Sequence, residues 1–134
     1  MRRPAGLVAA AGLLSLVAAL GGCAVAPPTP VTITIHYSAF DATALTAPHG
    51  VPVTFVLVNQ DPIDHEWMLG DAEMHETHRN GTEAVHDTRP TEVTVPALST
   101  VETTITFEGP GVLTYVCHLP GHEGYGMVGS LTVT

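Results

Sequence analysis

The chain of 134 residues carries 13 acidic side chains against four basic ones, a formal charge of −9, and has two cysteines. That balance excludes nucleic-acid binding, which needs a basic surface to neutralise phosphates, and the length suits one compact domain. Two cysteines are too few for a scaffold stapled by several disulfides.

Met1-Arg2-Arg3 is a short basic stretch, and the Ala- and Leu-rich run from Leu7 to Leu20 behind it is apolar but too short to span a bilayer. Together they predict a secretory signal over residues 1–22 and a protein that works outside the cytoplasm. The run closes on Leu20-Gly21-Gly22-Cys23. This resembles the bacterial lipobox, which implies cleavage that leaves Cys23 as a lipidated first residue; plain secretion is the alternative. Residues 23–30, ending in Pro27-Pro28-Thr29-Pro30, form a stiff extended spacer. Past residue 22 only Arg79 and Arg89 oppose the 13 acidic residues, a formal charge of −11. Such a surface suits a basic protein partner or a metal cation.

Residues 31–134 form the domain and read as strands. Val31, Ile33, Ile35 and Tyr37 alternate with Thr32, Thr34 and His36, and Val101, Thr103, Ile105 and Phe107 alternate with polar residues, the period-two pattern of half-buried strands. Val53 to Val58 is apolar on both faces, as in a strand central to a sandwich. Further strands are expected at Thr91–Val95, Val112–Cys117 and Met127–Thr134, separated by turns bearing Gly and Pro. The predicted fold class is all-β, a Greek-key antiparallel β-sandwich.

Gly70 to Pro90 breaks the pattern. It is polar and His-rich, and is expected to hold a short helix or an irregular excursion. Met74 and His75 stand with His78 on one face if the segment is helical, with Glu73 and Glu76 interleaved and His86 further on. These residues form either an auxiliary copper or zinc site or a solvated acidic face, and the composition favours the face.

The chemistry concentrates near the C-terminus, where Cys117, His122 and Met127 are spaced five residues apart. A thiolate, an imidazole and a thioether are the donors that suit copper in both its oxidation states, and one more imidazole would complete a His₂Cys set with a weak Met. Cys117 is otherwise a lone thiol in an oxidising compartment, where ligation would protect it. Pro120, Gly121, Gly124 and Gly126 allow a tight path that folds His122 back towards it. Six histidines lie upstream. His65 is the best placed, after the apolar strand and the turn Asn59-Gln60-Asp61-Pro62, and flanked by Ile63, Trp67 and Leu69. His36 and His49 read as ordinary surface histidines.

The pattern Cys117-x4-His122-x4-Met127, with Asp64-His65-Glu66 upstream, resembles the ligand pattern of small cupredoxins of the plastocyanin/azurin superfamily over nearly all of Val31 to Thr134. The resemblance implies one type 1 (blue) copper with His65, Cys117 and His122 equatorial and Met127 axial. It implies a carrier of single electrons between extracytoplasmic redox partners, and the acidic charge suits a basic one. The alternative is a copper-handling protein that sequesters or delivers the metal. Around His122 the neighbours Glu123 and His118 stand beside Leu119, Pro120 and Tyr125, so a mixed rather than apolar docking face is expected. Val116 before Cys117, and the lack of a His-x-His pair, exclude a self-contained multicopper oxidase. A single loop cysteine excludes a binuclear copper site. No acid–base pair or free nucleophile is visible, so the expectation is a monomeric, lipid-anchored carrier and not an enzyme, placed at the outer face of the bacterial cytoplasmic membrane or in the periplasm.

Overall fold

The computed structural model describes residues 30–81 and 89–134. The signal segment, Cys23 and the spacer up to Thr29 lie outside them, as does His86. In chain order the described elements are β1 (Val31–His36), β2 (Ala39–Phe40), β3 (Ala44–Ala47), β4 (Pro52–Asn59), β5 (His65–Gly70), α1 (Ala72–Arg79), β6 (Glu92–Val95), β7 (Thr100–Thr106), β8 (Gly111–Val116) and β9 (Val128–Val133). No helix among the described residues is long and apolar enough to cross a membrane.

The strands form two sheets, ordered β2-β1-β4-β7 and β3-β9-β8-β5-β6, an all-β sandwich with one short helix. Between them lies a core that includes Ile33, Ile35, Phe55, Leu57, Trp67, Leu69, Tyr115 and Leu131, each fully buried. β4, apolar on both faces in the sequence, turns Val53, Phe55 and Leu57 inward, while Thr54, Val56 and Val58 are half-buried on the other face. Most pairings are antiparallel, but β1 runs parallel to β4 and β3 parallel to β9. Both parallel contacts bring strands from the N-terminal third against later ones, which local alternation cannot reveal.

Tyr37 departs from its expected place on the inward face of β1. The strand ends at His36, and Tyr37 and Ser38 turn with φ of 54° and 52°, leaving Tyr37 86% exposed. The Asp61 carboxylate accepts both their N–H groups, at 2.7 and 2.8 Å, which holds this left-handed corner in place.

The segment after Gly70 does contain a helix. Asp71 caps it, its Oδ1 accepting the Met74 N–H at 2.9 Å, and Glu73 lies in the first turn where the helix dipole favours an acid. α1 can sit close on the end of β5 because Gly70 has no side chain: a Cβ there would come within 2.9 Å of the Met74 Cβ.

Candidate metal centre

Four segments meet at one end of the sandwich. β5 opens with His65, fully buried. Cys117 follows the last residue of β8 and is also fully buried, its N–H donating to the Met127 carbonyl at 3.1 Å. The turns after Cys117 carry His122, whose carbonyl accepts the Met127 N–H at 3.1 Å, and Gly121 and Gly126 take φ of 88° and 93°. That left-handed backbone is what brings the loop back on itself. Met127, fully buried, lies immediately before β9. The fourth segment is the loop between β4 and β5, which supplies Asp61.

One ligand atom from each of His65, Cys117 and His122 falls within a 4.8 Å group. The two Nδ1 atoms of His65 and His122 lie 3.3 Å apart, and His122 Nδ1 is 3.3 Å from Cys117 Sγ. His65 is oriented from behind: its Nε2 meets Asp61 Oδ2 at 2.9 Å, so Nε2 carries the proton and Nδ1 offers its lone pair to the centre. Burial would raise the Asp61 carboxyl, but the Ser38 and Tyr37 N–H groups and His65 outweigh it and hold it below the usual range. Asp61 is the residue that sequence reasoning passed over, as a turn former; the i,i+4 spacing to His65 carries no signal by itself.

Burial pushes the Cys117 thiol up, and the charge of Glu66 adds to this, while N–H groups from Glu66 and Leu119 oppose it. The Glu66 N–H donates to Sγ at 3.4 Å. A thiol in that setting is protonated at neutral pH and gives up its proton when a metal binds. Burial, and the neighbouring His65, push His122 below the ordinary imidazole value, so its ring is neutral and free to ligate. Two imidazole nitrogens and a buried thiol converge on one point, where each can offer a lone pair once deprotonated. With a thiophilic cation of borderline softness between them each donor is satisfied, and this set fits copper.

The other expected residues fall as follows. His36 Nδ1 stands 3.6 Å from Asp61 Oδ1, and His49 Nδ1 lies 2.8 Å from the Thr134 carbonyl; neither belongs to the His65–Cys117–His122 group. His75 is buried, donating Nε2–H to the Thr114 carbonyl at 3.0 Å and accepting from His118 Nε2 at 2.8 Å. His78 turns instead to Glu66 and Glu92, and Met74 packs by Gly70. His118 is not part of an exposed face. Its side chain is 5% exposed, and burial together with His75 lowers its pKa to about 4. Glu123 is drawn to Arg79, which donates to it through Nε at 3.0 Å. In the loop that carries His122, Pro120 and Tyr125 are exposed, and the paired Glu123 and Arg79 side chains are about a third exposed, at 36% and 39%.

Residues 30–134 match the copper-binding proteins of the plastocyanin/azurin family. The chain is 33% identical over 97 residues to the copper-resistant cuproprotein CopI of Rubrivivax gelatinosus, covering 70% of this chain and 59% of that protein. It is 31% identical over 127 residues to the copper-resistant cuproprotein CopI of Pseudomonas aeruginosa, covering 70% of each. Among solved structures, dithionite-reduced auracyanin of Roseiflexus castenholzii superposes with a TM-score of 0.67 at 21% identity, over 81% of this chain and 98% of that one.

Proposed function

Because the chain belongs to the plastocyanin/azurin family of copper-binding proteins, we propose that it is a type 1 copper protein that passes single electrons between partners outside the cytoplasm. The observation that carries this reading is the convergence of the His65 and His122 Nδ1 atoms with Cys117 Sγ inside one 4.8 Å group. His65, Cys117 and His122 would hold the ion, with Met127 as the weak fourth donor. Copper there supplies a one-electron couple whose ligands need little rearrangement on reduction.

The chain's own residues do the rest. Asp61 and the Glu66 N–H hold His65 and Sγ in place before any metal arrives, which keeps the reorganisation cost small. Trp67, Leu69 and the buried Met127 exclude water. Of the four donor residues only His122 reaches the surface, so the electron leaves through its ring edge, on a patch formed by Tyr125 and Pro120. The acidic domain suits a basic partner. In this reading the protein is a monomeric carrier and not an enzyme, exported and held at the membrane by a lipid on Cys23.

A second reading is favoured by the names of the relatives. The matched CopI proteins are called copper-resistant cuproproteins, and on that basis the same centre would serve copper handling, sequestering or delivering the metal. One experiment separates the two. The copper-loaded protein is cycled between a reductant and an oxidised redox protein, with visible absorption and bound copper followed together. A carrier bleaches and recovers with its copper retained. A handling protein loses copper to a competing chelator in one of the two oxidation states. A protein that takes up copper without an intense visible band defeats both forms of the type 1 assignment.

A further inference from the structure

Beside the copper centre the structure gathers a second set of donors. Glu66 on β5, His78 on α1 and Glu92 on β6 each offer one ligand atom, and these lie within 4.8 Å of one another. His78 Nε2 is 3.2 Å from Glu66 Oε1, and His78 Nδ1 is 3.8 Å from Glu92 Oε1. The side chains of His78, Glu66 and Glu92 are only 8%, 12% and 3% exposed. A cavity of about 230 Å³ opens onto His78 and Glu92, and among the described residues its wall also carries Asp71 and Glu73 against the cation Arg89. An ion therefore has a predominantly acidic approach to a sheltered group of donors.

We propose that Glu66, His78 and Glu92 form a second metal site, for a divalent cation of the Zn(II) or Cu(II) kind. One imidazole nitrogen and two carboxylate oxygens are borderline-to-hard donors; they suit these ions and lack the sulfur that Cu(I) prefers. Three protein ligands leave a fourth position for water. Each ligand comes from a different element, so a bound ion clasps α1 to the sheet. The site also touches the copper centre through one residue. Glu66 gives its N–H to Cys117 Sγ, and its Oε2 accepts the His118 N–H at 3.1 Å. A cation on the Glu66 carboxylate adds positive charge next to the thiolate and favours the reduced state of the copper centre.

The test uses the full chain loaded with one equivalent of copper, to which Zn(II) alone is added. Calorimetry and metal analysis after desalting count the zinc, while the visible band and the potential report on the copper centre. The expected result is one zinc per chain, with the band retained and the potential raised. His78→Gln and Glu92→Gln should each weaken zinc binding by about tenfold or more while keeping the copper band, which certifies that the variants are folded. In a parallel arm, a second equivalent of Cu(II) should bind without adding an intense thiolate band, be lost in the same variants, and compete with zinc. Copper-loaded protein that retains no zinc, or zinc binding undiminished in both variants, overturns the proposal. A first equivalent of copper that gives no colour would instead count against the type 1 centre, and the zinc count would still decide this site.

Discussion

Asp61 Oδ2 accepts the Nε2–H of His65 at 2.9 Å, and the same carboxylate holds the N–H groups of Tyr37 and Ser38. One buried acid thus joins a proposed copper ligand to the corner that ends β1. Its removal acts on both. Asp61→Ala is expected to lower copper affinity by about ten- to a hundredfold and to cost about 1–3 kcal/mol of stability from the orphaned N–H groups. Asp61→Asn keeps an acceptor but loses the charge, so it should retain most of the affinity and raise the potential. Competition with a chelator and redox titration check the two, and an Asp61→Ala protein with unchanged affinity and potential would remove Asp61 from the centre.

Cys117 has one role in this architecture. Cys117→Ser should abolish the intense visible band of the copper protein, because that band needs a thiolate donor. Cys23→Ser should leave the colour intact and release the protein from the membrane. Spectra of the two variants, with membrane fractionation for the second, provide the check; a blue Cys117→Ser protein would mean that the thiolate assignment is wrong.

Copper should also stabilise the fold. The donor atoms already stand together, the two Nδ1 atoms 3.3 Å apart, and a ligand that binds only the native state adds about 2.7 kcal/mol at a hundredfold excess over its Kd. For a domain of this size that corresponds to a rise in Tm on the order of 10 °C. Thermal melts before and after chelation measure it, and coincident melts would argue against a preformed site.

Tyr115 makes the sandwich sensitive to alkali. It is fully buried, its hydroxyl donates to the Ala42 carbonyl, and its ring lies across Gly129, where a Cβ would fall 2.1 Å from Cζ. Burial first, and the charge of Asp41 second, push its pKa to about 12. The group titrates near pH 10 when unfolded. A raised folded pKa in a neutral acid means that its contribution is complete below about pH 10 and lost as pH rises towards 12, by up to about 1.4 kcal/mol per pH unit. Tyr115→Phe should flatten that part of the pH–stability curve, measured by denaturant titration. Gly129→Ala should cost about 3 kcal/mol through the clash with the ring, and a Gly129→Ala protein as stable as the parent would contradict the packing.

Much of this protein is legible in its sequence because the signals are local. Period-two alternation marks β1 and β7 since neighbouring side chains on a strand face opposite sides, and a short run apolar on both faces marks β4. The spacing of Cys117, His122 and Met127 marks a metal loop since their donors lie on one short segment between two strands. The polar stretch after Gly70 allows a helix without requiring one, and its cap at Asp71 follows from the side chain that can reach the free N–H groups. β5 is not legible as a strand, because His65 to Gly70 is largely buried on both faces and shows no alternation.

What only the tertiary structure decided is which distant groups meet. The parallel pairings of β1 with β4 and β3 with β9, the return of Asp61 onto His65, the burial of His118 against His75, and the approach of Glu66 to both Cys117 and His78 all join segments through the packing of two sheets. A residue's type states what it can donate or accept. Its partner is set by the path of the chain, and for contacts across a sandwich no short stretch of sequence carries that path.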